Sequence, residues 1–318
     1  MTVSRVINQS GYASPEARAR VLAAVAELGY QPNSLARSLR LKRSDTLALI
    51  LSDITNPFFT TVARGVEDAA SAAGYTVIFG NTDESEEKES LYLDRILRKQ
   101  VDGVLLVPAG QSTRAVERIL AAGTPLVLLD RRVPGAAVDT VRCDSEDAAY
   151  RLTRLLAGLG HRQLALLAGP RDISVVADRE AGFRRALAEL GARSPAVYYG
   201  AFTQESGFAL ARQALMAQPR PTALLAANNF LAIGALKALQ ALGLDVPEDV
   251  ALAGFDDLPA GLVTDPFLTA AVQPAYEMGR AAAELLLRRL SEARQDQAEE
   301  ILLPVPLVVR ASSGTALA

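Results

Sequence analysis

From Thr46 onward, short apolar runs alternate with longer amphipathic stretches that have the spacing of helices. Three of these stretches, Phe58–Ala73, Asp147–Leu159 and Leu231–Leu242, are followed directly by glycine. Such alternation is typical of parallel, doubly wound sheets with right-handed crossovers. We therefore predict an α/β body of two lobes, each with its own parallel sheet. The predicted strands are Thr46–Leu51, Thr76–Gly80, Val104–Val107 and Leu126–Leu129 in one series, and Gln163–Ala168, Val197–Tyr199, Ala223–Ala226 and Val250–Phe255 in the other.

The first 45 residues follow a different pattern. Residues 14–29 predict a helix, with Ser14 as N-cap, Pro15 in the first turn and Gly29 after the last turn. This segment carries seven basic and three acidic residues, a charge of +4, whereas the remaining 26 basic and 33 acidic residues give −7. A basic head on an acidic body indicates contact with a polyanion. A solvated basic helix face is the alternative.

The composition argues against most classes of enzyme. Cys143 and His161 are the only residues of their types, so intrachain disulfides, cysteine-rich zinc sites and histidine clusters are excluded. Neither dinucleotide nor P-loop fingerprints occur. No apolar run approaches the about 18 residues of a membrane span. We expect a cytoplasmic protein that is not an enzyme, needs no metal or cofactor, and does not bind membranes.

Polar residues follow many of the predicted strands, at the edge where open parallel sheets bind ligands. If the strand ends of the two lobes face each other, these residues line one cleft. Their carboxylates, amides and guanidinium groups can hydrogen-bond to hydroxyls, and Phe58, Phe59 and Phe202 can stack on a sugar or base. The alternative is that Asp and Asn cap the following helices. The polar residues are Ser52, Asp53, Asn81, Asp130, Arg131, Asn228, Asn229, Asp256 and Asp257, and Phe202 stands at a further strand end.

Nine segments, in order along essentially the whole chain, resemble the lactose/galactose-repressor family of bacterial transcription regulators. They are TVSRVIN (2–8), the run 14–39 with ELGYQPNSLARSL, SDITNPFF (52–59), VDGVLLVP (101–108), GHRQLALLAGP (160–170), REAGFRRAL (179–187), AANN (226–229), AGFDDLP (253–259) and LVVRASS (307–313).

The resemblance implies a helix-turn-helix headpiece and hinge helix in 1–45, and a body like the type I periplasmic sugar-binding proteins in 46–318. Three crossovers make each lobe discontinuous. The lobe nearer the headpiece would comprise about 46–144 plus 275–300, and the distal lobe about 145–272 plus 301–318.

The chain begins inside the family's recognition helix, so the small all-α headpiece is expected to be truncated. We interpret this as a start site that lies upstream. The competing hypothesis is a headless cytoplasmic sugar-binding protein that does not bind an operator.

By the resemblance, Arg5 contacts a guanine edge or phosphate, Thr2 and Ser4 contact the DNA backbone, and Asn8 lies in the same helix. Residues 33–40 match the hinge helix, which includes Asn33 and Ala36. Leu39 matches the apolar wedge that family members insert into the minor groove. An ordinary core leucine is the alternative for Leu39.

The resemblance also implies a set of effector-binding residues. Arg179 would reach ligand hydroxyls or a carboxylate, and Asp256 would accept hydrogen bonds. Asn228 would act as donor and acceptor, Phe202 would pack against the ligand, and Gln273 lies at the last crossover. Asn229 stands where members commonly have Asp. Second-rank candidates are Phe58, Phe59, Asp130, Arg131 and Asp147.

The function that follows is a ligand-responsive, DNA-binding transcription regulator, expected to be a repressor. Its effector would be a sugar or a related hydroxylated metabolite, and its signal would travel by lobe closure. Because no leucine heptad follows LVVRASS, a homodimer is expected rather than a tetramer.

Overall fold

A computed structural model describes residues 2–7, 12–29, 43–191, 196–259, 265–291 and 297–314. The chain divides into two compact units, Met1–Asp45 and Thr46–Ala318. The first unit contains helices α1 (Thr2–Ile7) and α2 (Pro15–Leu28). Ser14 caps α2, because its Oγ accepts a hydrogen bond from Ala17 N at 3.2 Å, and Gly29 follows in the left-handed region with φ 58°.

The second unit, the body, contains two six-stranded sheets. All neighbouring strands in the first sheet are parallel, and its order is β11 (Glu300–Leu303), β5 (Asp139–Cys143), β4 (Leu126–Leu129), β3 (Gly103–Leu106), β1 (Thr46–Leu51), β2 (Thr76–Asn81). The second sheet is parallel apart from its β12 edge, and its order is β12 (Leu307–Val308), β10 (Thr269–Ala271), β9 (Ala251–Phe255), β8 (Ala223–Ala226), β6 (Leu164–Ala168), β7 (Ala196–Tyr199).

Helices cover these sheets and define two lobes. The first lobe combines the first sheet with α3 (Pro57–Ala72), α4 (Glu86–Arg98), α5 (Arg114–Ala121) and α10 (Ala275–Ser291). The second lobe combines the second sheet with α6 (Ser145–Gly158), α7 (Ser174–Glu189), α8 (Gln204–Leu215) and α9 (Asn229–Ala241). No helix in the described ranges is long and apolar enough to cross a membrane.

The predicted pair of parallel-sheet α/β lobes is confirmed, and the eight predicted strands are all present within a residue or so at each end. Buried parallel strands read as continuous apolar runs, which explains this agreement. The sequence did not reveal β5, β10, β11 and β12, which are short or of mixed polarity.

The last crossover lies later than predicted. Residues 301–303, which we placed in the distal lobe, belong to β11 and pair with β5 of the first sheet. The chain therefore leaves the first lobe only after Leu303. The extra parallel strand satisfies the backbone groups on the outer side of β5, which would otherwise form a sheet edge.

Candidate ligand-binding site

A cavity of about 360 Å³ lies between the two lobes, beyond the carboxyl ends of their strands. Its wall is mainly apolar in area, with charged and amide side chains at several points. The first lobe contributes Asp53, Thr55, Asn56, Phe58, Phe59, Asp83, Glu84, Asp130 and Arg131; the second lobe contributes Pro170, Val175, Arg179, Ala201, Phe202, Thr203, Asn228 and Asp256; and Gln273 comes from the crossover before α10.

Nine of the ten predicted effector-binding residues line this one cavity, and Asp147 does not. The placement of Asp147 in the pocket was wrong. Its backbone N–H donates to the Asp144 cap, and its Oδ2 pairs with Arg151 Nε at 2.6 Å on the outer face of α6. An acidic residue in the first turn of a helix is favoured by the helix dipole, so no ligand is needed to explain it.

Asp130 and Asp256 occupy matching places in the two lobes. Each follows the third strand in its sheet order, β4 or β9, and each has a left-handed backbone, with φ 63° and 62°. Each donates its backbone N–H to the neighbouring strand, to Val141 O and Ala271 O respectively, at 2.9 Å. This conformation is uncommon for residues other than glycine, although Asp tolerates it better than most. The turn directs both carboxyl groups to the cavity wall.

The Asp256 carboxyl group is held by the crossover segment. Its Oδ2 accepts from Gln273 Nε2 at 2.9 Å, and its Oδ1 accepts from the Gln273 backbone N–H at 3.3 Å. Burial raises the pKa of Asp256 to about 6, against the opposing effects of the Arg179 charge and the Gln273 hydrogen bonds. Burial likewise raises the pKa of Asp130, although Arg131 and Arg179 oppose the shift.

Arg179 lies close enough to both carboxyl groups for its charge to oppose the rise in their pKa values. Its side chain is 3% exposed, its Nη1 donates to Ala227 O, and its guanidinium carbon lies 4.0 Å from the centre of the Phe255 ring. Burial lowers the pKa of Arg179, and the charges of Asp256 and Asp130 counteract that shift. Its Nε has no hydrogen-bond partner within the described residues.

Aromatic rings form apolar parts of the wall. Phe58 and Phe59 meet edge to face, with ring centres 5.0 Å apart. Phe202 packs against the backbone of Gly169, where a Cβ atom would come within 2.3 Å of the Phe202 Cζ atom. Only glycine at position 169 therefore permits this ring position.

Several wall residues escaped the sequence analysis, above all Asp83 and Glu84. Both have positive φ, 49° and 57°, in the turn that follows β2. Both acidic residues stand just beyond Asn81, the polar residue that the sequence predicts at this strand end. Asn81 itself is absent from the lining: it stabilises this loop, accepting from Ile54 N and donating to Asp83 Oδ1. Asp257 also lies outside the lining and pairs with Arg310 at 2.6 Å.

The predicted DNA-binding residues are only partly described. Thr2, Ser4 and Arg5 lie on α1, and the side chains of Thr2 and Arg5 are exposed. The remaining predicted residues, Asn8, Asn33, Ala36 and Leu39, lie outside the described residues, as does the predicted hinge helix. Among the residues that are described, no cluster of His, Cys, Asp or Glu could hold a metal ion.

Two parallel-sheet lobes that enclose a cavity of polar and aromatic residues define a two-lobed binding protein for small molecules. Residues 44–311 match the family of periplasmic binding proteins and the sugar-binding domain of the LacI family, and residues 1–33 match the bacterial regulatory proteins of the lacI family. The chain belongs to the LacI family.

Individual relatives support this assignment. The ribose operon repressor of Halalkalibacterium halodurans is 37% identical, over 97% of this chain and 92% of that protein. The structure of a CelR–cellobiose complex, a transcriptional regulator, has a TM-score of 0.78 and 34% identity, and covers 97% of this chain and 94% of its own. The lac repressor dimer bound to operator and the anti-inducer ONPF has a TM-score of 0.86 and 29% identity, with 98% and 94% covered. The protein is a ligand-responsive transcription regulator.

Proposed function

We propose that this protein represses transcription as a cytoplasmic homodimer on an operator, and that a sugar or related hydroxylated metabolite in the interlobe cavity controls its affinity for DNA. The observation that carries the proposal is the convergence of Arg179, Asp256 and Asn228 on one cavity. The repressor names of relatives and the cellobiose in a related structure support it. They also favour a binding role over catalysis.

The wall residues have distinct roles in this proposal. Arg179 donates to a ligand oxygen, and Asp130 and Asp256 accept from hydroxyls. The Oδ1 of Asn228 already accepts from Leu231 N at 2.9 Å and caps α9, so its Nδ2 serves as a donor. Phe202 stacks against a sugar face, as Phe58 does from the other lobe. Because both lobes contribute, ligand binding favours one lobe arrangement over others.

Contacts between the lobes supply the route for the signal. Asn229 Nδ2 donates to Asn56 Oδ1 across the cleft at 3.0 Å. At another point the Arg132 N–H donates to Ser174 Oγ at 2.8 Å, and the Arg132 guanidinium pairs with Asp178. A ligand that changes the angle between the lobes must form or break these contacts. The ligand can change the affinity for DNA only by as much as its own affinities for the two lobe arrangements differ.

The sugar site is tested by a thermal-shift screen of pentoses, hexoses, disaccharides, polyols and nucleosides, since a ligand that binds the folded state raises the melting temperature. We expect Arg179→Ala and Asp256→Ala to weaken the binder about ten- to hundredfold, because each removes a hydrogen bond to a charged group. Arg185→Ala is the matched control: Arg185 is on the same helix but pairs with Glu146 at the surface. Circular dichroism verifies folding. An unchanged shift in folded Arg179→Ala and Asp256→Ala would refute the site.

Operator binding is tested separately, by selecting genomic DNA fragments on the purified full chain. We expect affinity for the selected fragment to fall as salt rises, because phosphate contacts release counterions. The proposed contacts of Arg5, and of Leu39 in the minor groove, predict weaker binding by Arg5→Ala and Leu39→Ala. Sugar binding without selection of any fragment would support the headless alternative.

A further inference from the structure

The charge balance around the cavity restricts the kind of sugar that it can hold. Five carboxyl groups and two guanidinium groups line it, and Lys88, just outside the lining, pairs with Asp83, which leaves a formal excess of two negative charges. Even with Asp256 protonated, an excess of one would remain. The carboxyl groups belong to Asp53, Asp83, Glu84, Asp130 and Asp256, and the guanidinium groups to Arg131 and Arg179.

Both guanidinium groups already have partners. Arg131 is 3% exposed and binds Glu84 through two hydrogen bonds of 2.5 and 2.6 Å, and its Nη1 also donates to Pro108 O at 2.9 Å. Arg179 donates to Ala227 O and is attracted by both Asp130 and Asp256. Neither arginine therefore offers an uncompensated positive charge to an anion.

Three of the four helix N-termini at the cavity, the other common anion site in such folds, are also occupied. At three helices that begin at the cavity, a wall residue uses its own side chain as the cap. Asn56 accepts from Phe58 N at 3.1 Å, Thr203 from Ser206 N at 3.1 Å, and Asn228 from Leu231 N at 2.9 Å. The fourth, α7, begins without a side-chain cap, and Asp178 one turn later is paired with Arg132 and Arg142.

We infer that the effector is a sugar without phosphate or carboxylate groups, and that the cavity rejects phosphorylated sugars. The inference rests on the proposed sugar-binding function. A phosphate carries about −1.5 to −2 charges at pH 7 and requires cationic or N–H partners. Here it would meet excess carboxylates in a site partly shielded from water, and repulsion of this kind is an effective source of specificity. Hydroxyl groups, by contrast, can donate to those same carboxylates.

The test is calorimetric titration of the full chain at pH 7.5 with matched pairs: ribose and ribose 5-phosphate, glucose and glucose 6-phosphate, and gluconate beside glucose. We expect one or more neutral sugars to bind and the anionic partner to bind at least tenfold more weakly. A phosphorylated partner that binds equally well or better overturns the inference and leaves the proposed sugar function intact. Absence of binding by every member of every pair, together with no binder in the thermal-shift screen, refutes both.

Two variants test the electrostatic cause. Glu84→Gln removes one wall charge and releases Arg131, and Asp53→Asn removes another while keeping the Oδ1 that accepts from Thr55 N. We expect each to narrow the affinity ratio between a neutral sugar and its phosphate at least threefold. Glu87→Gln is the control, since Glu87 is exposed in the first turn of α4 and outside the cavity lining. A ratio unchanged in both folded cavity variants would show that wall charge does not determine the selectivity.

Discussion

At the scale of single residues, chemistry is set by burial more than by residue type. Asp147 and Asp256 are both acids selected from the sequence, yet the first is half-exposed on a helix and the second lies buried in the cleft. The two carboxyl groups therefore behave differently. Burial raises the pKa of Asp256 to about 6, whereas Asp147 forms a surface pair with Arg151.

The first prediction concerns the pH dependence of sugar binding. Below about pH 6 the Asp256 carboxylate takes up a proton, so it loses acceptor capacity for ligand hydroxyls and its attraction to Arg179. We expect affinity to be constant above pH 7 and to fall on acidification through pH 6, measured by calorimetry. Asp256→Asn, which also tolerates the left-handed backbone, should bind more weakly and lack this step. Persistence of the step in Asp256→Asn would assign it to another group.

The second prediction concerns stability and His161. This histidine is 4% exposed, and its Nδ1 lies 3.0 Å from Thr222 Oγ1. Burial lowers its pKa below the ordinary value of 6.5, although a hydrogen bond with the Ser313 backbone opposes the shift. The unfolded chain therefore binds the proton more readily than the folded protein does.

Neutral His161 should therefore make its full contribution to the free energy of unfolding above pH 6.5. That free energy should fall as the pH drops below 6.5. The slope from this one group is at most about 1.4 kcal/mol per pH unit. Urea denaturation at pH 7.5 and 5.5 measures it, with His161→Gln as comparison. An equal loss in the variant would mean that His161 does not contribute.

At the scale of elements, the first lobe depends on a close contact between helices from opposite ends of the body. Helix α10 packs on α3 through glycines: a Cβ at Gly65 would lie 2.1 Å from Tyr276 O, and one at Gly279 would lie 2.0 Å from Val62 O. Backbone occupies the space that a side chain would need. This contact anchors the C-terminal crossover to the first lobe.

The third prediction follows from this contact. Gly65→Ala should reduce the free energy of unfolding by roughly 1–3 kcal/mol, since overpacking forces the two helices apart. Gly158→Ala is a matched control, because Gly158 is also helical but has no atoms within 4 Å of the added Cβ. That control should be neutral or stabilising by roughly 0.5–1 kcal/mol. Denaturant midpoints compare the two, and similar destabilisation of both would contradict the packing argument.

At the scale of the whole body, function depends on how easily the two lobes change their relative angle. The Asn229–Asn56 hydrogen bond joins the start of α9 to the start of α3 across the cleft, and both side chains are buried. The Asn56 Oδ1 that receives this bond also accepts from Phe58 N. An aspartate at position 229 would place a carboxylate oxygen, which cannot donate a hydrogen bond, opposite the Asn56 Oδ1.

The fourth prediction is that Asn229→Asp and Asn229→Ala weaken sugar affinity about three- to thirtyfold, because the closed arrangement loses a bond and becomes less populated. Lys237→Ala is the control: Lys237 also lies on α9, but its bond to Gln204 stays within the second lobe. Calorimetry measures affinity, and small-angle scattering should show a larger radius of gyration for the Asn229 variants alone. Unchanged values for both variants would exclude this bond as a determinant of closure.

The sequence by itself determined the local elements and the identity of most wall residues. Buried strands such as Leu126–Leu129 are continuous apolar runs, and the α2 cap at Ser14 is a local hydrogen bond, so both are encoded within a few residues. Only the tertiary structure decided that Asp147 faces outward, that Glu84 neutralises Arg131 47 residues away, and that Asn229 bonds to Asn56 across 173 residues. These contacts depend on the packing of whole layers, because segments distant in the chain meet only after both lobes have formed.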